Sequence, residues 1–207
     1  MAEENPLLQR AYSLDGDRDK TRDVYADWAE SYDKDTADVF GYVAPGLAAG
    51  ELAELVSFDG VVLDAGCGTG LAGEEVHKRG LMTIDGIDLS AEMLDVAAAK
   101  SIYRNLAVAD MTGPLDIADN VYDGVICVGT FTSGHVGPEA IDELLRVAKA
   151  GAPVVLTVHE KVWDKDGYLG HFRRMERQGK MRVREIKESP YHEKAGYRCQ
   201  ICILEAA

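Results

Sequence analysis

The sequence predicts an α/β fold: a mostly parallel sheet covered by helices on both faces, an antiparallel pair at one edge and an N-terminal helical cap. Three observations carry this. From residue 61 onward, short apolar runs alternate with helical stretches, the pattern of βα units. Runs such as "VVLDA" and "PVVLTV" are continuously apolar or nearly so, as strands covered on both faces require. The last two strand candidates, "MRVREIKE" and "YRCQICILE", are joined by a short connection containing Pro190, so they pair antiparallel.

At 207 residues the chain makes one domain with a full core. Residues 1–17 read as a flexible N-terminus or a lid, 18–57 as the helical cap and 58–207 as the core. In "TRDVYADWAESYDKD", Val24 and Trp28 share a helix face with Tyr25 and Tyr32, at three- and four-residue spacing. A second cap helix spans roughly residues 36–57, interrupted by Pro45-Gly46 and Gly50. Then come strand "VVLDA", helix "LAGEEVHKRG", strand "MTIDGIDL", helix "SAEMLDVAAAK" and a short strand "LAVAD". Strand "YDGVICVGT" leads to helix "PEAIDELLRVAKA", with Pro138 in its first turn and Gly151 at its exit. Strand "PVVLTV" and a helix over 168–178 complete the series.

Composition excludes several function classes. A net charge of −14 has the wrong sign for nucleic-acid binding, which draws on Lys and Arg contacts to phosphate. The cluster Arg173, Arg174, Arg177, Lys180, Arg182 and Arg184 reads as a solvated face, with an anionic substrate group as the alternative. No apolar run approaches the roughly 20 residues that span a bilayer, and the acidic "MAEENPLLQR" is no secretory signal. The expected location is cytoplasmic, with no membrane partner, as monomer or homodimer. Cys199 and Cys202 lie three apart in a strand, hence on opposite faces, and no metal is expected.

The turn "AGCGTG" carries Gly66, Gly68 and Gly70 directly after a strand that ends in Asp64. Ligands of open α/β sheets sit at the carboxyl ends of the strands. A glycine turn there lets a ligand approach backbone, yet the spacing is not that of the dinucleotide turn. A carboxylate at that mouth repels phosphate and attracts an ammonium. Asp88 ends the next strand, 24 residues on, where a carboxylate accepts ribose hydroxyls. Asp110 ends the third strand in "VADM" and can accept an adenine amino group, with Leu89 and Met111 placed to sandwich the ring. An amino-acid tail, an adenosine and no phosphate describe S-adenosylmethionine.

"VVLDAGCGTG", "GIDLSAEML", "VADM" and "YDGVICVGTF" together resemble the class I S-adenosylmethionine-dependent methyltransferases, over residues 20–207. The resemblance implies a Rossmann-like, seven-stranded sheet ordered 3-2-1-4-5-7-6, with strand 7 antiparallel. It adds Cys67, Met93 and Val128 to the expected cofactor set and places Tyr32 near the cofactor's amino-acid end. "VYADWAESYDKD" and "GTFTSGHVGPEAIDELLR" are similar to the subgroup named for the Williams–Beuren syndrome region.

Methyl transfer needs a nucleophile held in line, so positioning supplies much of the catalysis, and a base is needed only if the nucleophile must lose a proton. Thr130, Phe131, Thr132 and His135 follow the fourth core strand in "GTFTSGH" and line the expected substrate mouth. His135 reads either as a general base or as a bond to the next helix start. His159, ending "TVH", competes for the role of base, whereas His171 and His192 read as surface groups. Tyr25 is expected at the reaction, and Trp28 is either a substrate contact or the cap's docking face. The Asn-Pro-Pro-Tyr-like element of base-modifying relatives is absent from "GTFTSGH". The leading reading is methyl transfer to an O, S or N nucleophile of a small molecule. Protein methylation, a non-catalytic S-adenosylmethionine-binding module and a non-methyl reaction are the alternatives.

Overall fold

Neighbouring residues in each central strand are buried on opposite faces, and this builds the two layers of the molecule. Val62, Ile126, Val155 and Ile201 belong to one apolar cluster, while Leu63, Cys127, Leu156 and Cys202 belong to another. The computed structural model describes residues 6–207. Its strands are β1 (Val61–Ala65), β2 (Thr83–Asp88), β3 (Tyr103–Val108), β4 (Gly124–Phe131), β5 (Pro153–His159), β6 (Met181–His192) and β7 (Tyr197–Ala206). They form one seven-stranded sheet ordered β3-β2-β1-β4-β5-β7-β6. The first five pair in parallel, and β7 runs antiparallel to β5 and β6. The expected order and edge pair are both present.

The cap contains α1 (Pro6–Tyr12), α2 (Arg18–Trp28), α3 (Tyr32–Lys34), a π-helical turn (Asp35–Phe40) and α4 (Ala44–Ala53). Asp17 caps α2, its carboxylate accepting from the backbone N–H groups of Asp19 and Lys20, the bonds that satisfy a helix start. Leu8, Ala11, Val24, Trp28 and Phe40 bury themselves together, so the cap has its own small core. Residues 1–5 of the expected terminal segment lie outside the described residues. Residues 14–16 rest on the loop after β4: the Gly16 N–H donates to the Gly134 carbonyl at 3.1 Å.

The remaining helices are α5 (Leu71–Lys78), α6 (Ala91–Ala99), α7 (Ala140–Val147), α8 (Glu160–Trp163) and α9 (Tyr168–Arg177). The helices α4 and α5 cover one face of the sheet; α7, α8 and α9 cover the other.

Four local expectations need correction. The break in the second cap helix lies at Gly41, whose left-handed φ of 63° ends the π-helical turn, and Tyr42 then bridges His192. Pro45 stands in the first turn of α4, where its missing N–H costs nothing, and Gly46 and Gly50 lie inside that helix. Pro138 precedes α7 rather than opening it. Pro190 is inside β6, opposite Arg198; an edge strand tolerates a residue without an N–H. The third strand begins at Tyr103, three residues before "LAVAD".

Cys199 and Cys202 occupy opposite faces, one in each cluster. His171 and His192, read as surface groups, are only 3% and 6% exposed. His171 bonds Asp142 and Arg174, and His192 packs among Phe40, Tyr42 and Tyr191. In the basic cluster, Arg182 and Arg184 pair with Glu205, and Lys180 with Asp142. No described helix is long and apolar enough to cross a membrane.

Candidate active site

The carboxyl ends of β1, β2 and β4 open into a cavity of about 870 Å³, its mouth included, roofed by α2 and Tyr32. Its floor is the turn after β1. Gly66, Gly68 and Gly70 take left-handed φ values of 68°, 53° and 91°, a region costly for side-chain-bearing residues. The Gly66 and Cys67 N–H groups both donate to the Ile87 carbonyl, at 2.8 and 3.0 Å, which ties the turn to β2. A Cβ at Gly66 would stand 2.2 Å from Thr130 Oγ1, whereas one at Gly68 would meet nothing within 4 Å. Gly68 therefore presents bare backbone to open space.

Asp88 holds the far side of that floor. Its Oδ2 accepts from the Gly68 N–H at 2.8 Å and its Oδ1 from the Ser90 N–H at 2.9 Å. Burial pushes its pKa up, against those backbone bonds. Two carboxylate oxygens carry about four acceptor sites, so two bonds leave capacity for ligand hydroxyls. Leu89, Met93, Met111 and Val128 supply apolar wall, and Tyr32 and Thr130 also line the cavity.

Asp64 is placed differently from its expected role. It has no exposed surface and is absent from the cavity wall. Its Oδ2 accepts from the Tyr103 hydroxyl at 2.7 Å, and its Oδ1 has no hydrogen-bond partner among the described residues. Burial pushes its pKa to about 7, with Tyr103 pulling the other way. The acid at the glycine turn thus supports the turn from behind. Cys67 and Gly70 likewise lie behind the wall: Cys67 is buried, and Gly70 caps α5.

Asp110 lines the cavity, already bonded. It accepts from the Thr112 N–H and hydroxyl at 2.9 and 2.7 Å and from Arg18 at 2.8 Å. Burial pushes this carboxyl up, but the Arg18 and Thr112 bonds outweigh it and hold it below the usual range.

Tyr25 and His135 meet on the same wall. His135 Nδ1 lies 2.8 Å from the Ser133 carbonyl, which can only accept, so Nδ1 carries the proton. Nε2 is then the acceptor for the Tyr25 hydroxyl, at 2.8 Å. Burial lowers the pKa of this imidazole, outweighing the Ser133 bond. The ring is neutral near pH 7, with its lone pair toward Tyr25.

His159 does not join them. It is 1% exposed, its Nδ1 accepts from the Lys161 N–H, and its ring packs on Tyr191 and Tyr197. Burial lowers its pKa to about 4. Phe131 is also turned away, packed in the core against Tyr168. Trp28 donates its indole N–H to Asp35 at 2.8 Å and, with Thr132, lines a second, smaller chamber behind Tyr25 and His135.

Several residues here escaped sequence reasoning. Arg18, Thr21 and Arg22 of α2 line the cavity, although nothing in "DRDKTR" distinguishes them from an exposed helix start. Asp33 accepts from the Thr69 hydroxyl and pairs with Lys100 at 2.8 Å, joining the cap to the glycine turn. Its position directly after Tyr32 was the available signal.

Comparison with known proteins agrees with this geometry. Residues 62–151 match the sequence profile described as "Methyltransferase domain". The chain is 36% identical over 137 residues to human Methyltransferase-like protein 27, covering 64% of this chain and 55% of that protein. It is 41% identical over 73 residues to the 18S rRNA (guanine-N(7))-methyltransferase RID2 of Arabidopsis thaliana, covering 34% of this chain and 25% of that one. The chain thus matches about half the length, or less, of these curated relatives. Among solved structures, the [4+2]-cyclase SpnF aligns with a TM-score of 0.70 at 17% identity, over 94% of this chain and 98% of that one. A TehB-like S-adenosylmethionine-dependent methyltransferase of Corynebacterium glutamicum aligns with a TM-score of 0.66 at 18% identity, over 88% and 98%. At such identities the structures establish the fold alone.

Proposed function

We propose that the chain is a class I S-adenosylmethionine-dependent methyltransferase, on the domain match over residues 62–151 and the likeness to human Methyltransferase-like protein 27, and that it binds S-adenosylmethionine over its glycine turn and moves the methyl group to an O, S or N atom of a small molecule. The observation that carries the cofactor reading is the pairing of Asp88 with Gly68. A half-buried carboxylate with spare acceptor capacity stands beside backbone that no side chain shields. Asp88 would hold the ribose hydroxyls, while Leu89, Met111 and Val128 would pack on the adenine. Once bound, the cofactor supplies a methyl group on a positively charged sulfonium.

The protein's own contribution is placement and proton acceptance. The cap and the glycine turn enclose the reacting space and limit water, which strengthens the electrostatics inside. His135, neutral and with Nε2 as its acceptor atom, takes the proton of a hydroxyl or amine nucleophile that exchanges with the Tyr25 hydroxyl. Such base assistance typically contributes about 10²–10⁴-fold.

A small-molecule substrate is supported by the wall that α2 and Tyr32 add over the cavity and by the net charge of −14. RNA is the second reading, favoured by the similarity to an rRNA methyltransferase. All four cysteines are free, which supports a reducing compartment such as the cytosol.

Calorimetric titration with S-adenosylmethionine and S-adenosylhomocysteine tests the cofactor site. Micromolar binding to wild type, weakened at least about tenfold in Asp88→Ala, is expected from the loss of hydrogen bonds to a charged group. Absence of binding to either compound overturns the proposal.

A further inference from the structure

Behind the Tyr25–His135 hydrogen bond lies the smaller chamber, about 400 Å³ with its mouth included. It shares Tyr25, Tyr32, Gly129 and His135 with the larger cavity. No Lys, Arg, Asp or Glu lines it. Aromatic rings make most of its wall: Tyr25, Trp28, Tyr32, His135, Tyr191 and His192. The rings of Trp28 and Tyr32 stand edge to face at 4.9 Å, and those of Tyr191 and His192 are tilted at 4.5 Å.

Two polar atoms on this wall lack partners. Thr132 Oγ1 and His192 Nδ1 are buried and have no hydrogen-bond partner among the described residues. Thr132 is 8% and His192 6% exposed. Buried polar atoms are nearly always bonded, so two orphans in one small chamber mark a place where something else supplies the bonds. Gly129, which lines both cavities, leaves no room for a side chain, since a Cβ there would lie 2.6 Å from the Tyr42 hydroxyl.

We propose that this chamber is the acceptor-substrate site, and that it takes an uncharged, planar, single-ring compound whose hydroxyl or amine groups bond Thr132 and His192. This deepens the methyltransferase reading and rests on it. The ring requirement follows from the aromatic walls, which favour offset and edge-to-face packing. Neutrality follows from the lining, because a buried charge needs a partner and none of opposite sign faces it. His192 does not supply one: burial lowers its pKa to about 3, and the ring stays neutral. The site is a few precisely placed polar groups in an apolar pocket, the usual composition of a small-molecule site.

The test uses the full chain, with and without saturating S-adenosylhomocysteine, titrated with 4-methylphenol and with its anionic counterpart 4-methylbenzoate. Ligand-observed NMR reads the binding. The phenol is expected to bind at least about tenfold more tightly than the benzoate, because the chamber offers the anion no counter-charge. Thr132→Val and His192→Phe should each weaken the phenol about fivefold, the worth of one neutral hydrogen bond. Affinity for S-adenosylhomocysteine should stay within about twofold in both variants.

Thr132→Val preserves shape and decides the matter if His192→Phe does not fold. Phenol affinity unchanged in Thr132→Val overturns the proposal. So does benzoate binding as tight as phenol, or a chamber that admits water alone. If S-adenosylhomocysteine binds and the phenol does not, the substrate site falls while the cofactor reading stands. If the phenol binds as expected and S-adenosylhomocysteine does not, the chamber stands as a ligand site and the cofactor reading falls.

Discussion

Tyr103 donates its hydroxyl to the buried carboxylate of Asp64 at 2.7 Å, across 39 residues of sequence. The bond lies beneath the glycine turn, on the side away from the cavity. A Cβ at Gly73 would stand 2.1 Å from that hydroxyl, so α5 closes over the pair. Asp64 and Tyr103 together are the support on which the floor of the site is laid.

Stability should fall with rising pH because of Asp64. Its folded pKa of about 7 lies above the unfolded value of about 3.9. The folded state therefore holds the extra proton. The contribution is full below the unfolded pKa and is lost as pH rises through about 7. Relative to Asp64→Asn, wild type should lose roughly 5 °C in Tm between pH 4.5 and 7.5. Equal slopes in the two melts would refute this.

The buried histidines act with the opposite sign. His192 and His159 are depressed to about 3 and about 4, while the unfolded chain takes up these protons near pH 6.5. Their stabilisation is present above pH 6.5 and is lost as pH falls toward those values. His192→Phe should flatten the acid side of the stability profile between about pH 6 and 4. Melting curves on wild type and variant check it.

His135→Ala should lower kcat by about 100-fold or more if proton acceptance limits turnover. In wild type, kcat/KM should be level above the usual histidine pKa of about 6.5 and fall on the acid side, since burial lowers this imidazole. Tyr25→Phe removes an O–H that donates to Nε2. Losing a bond to the neutral form raises a pKa, so the acid limb should move to higher pH. An identical limb in the Phe variant would detach Tyr25 from the base.

Gly134→Ala should release the segment after α1. The glycine has a φ of +72°, and a Cβ there would lie 1.8 Å from the Leu14 carbonyl oxygen. Tryptic cleavage after Arg18 or Lys20 should accelerate about tenfold, as local opening becomes easier, with the core sheet's melting little changed. Unaltered cleavage would show that the segment is held elsewhere.

Much of this was legible because period and spacing are local properties. Continuous apolar runs gave the parallel strands, and the glycine turn with Asp88 located the cavity. What escaped depends on partners far apart in the chain. Asp64 is expected at the mouth of the turn, yet it is buried against Tyr103, which arrives from a strand whose start is read three residues late. Nothing around "PYHEKAGY" predicts that His192 meets Phe40 and Tyr42 of the cap. Phe131 and Thr132 are adjacent, and only the bend at the end of β4 decides that one enters the core while the other lines a chamber. Arg18 is an exposed residue by sequence, and becomes cavity wall because α2 crosses the end of β3.

Four free thiols, each buried, are distributed through the molecule like seals at different depths. Cys67 lies under the glycine turn, Cys127 and Cys202 in one apolar layer, and Cys199 in the other. An alkylating reagent reaches each only when its own region opens. The order in which the four become labelled would time the loosening of the floor against the parting of the sheet, with no residue substituted. A bound cofactor should slow the first of these clocks and leave the others running unchanged.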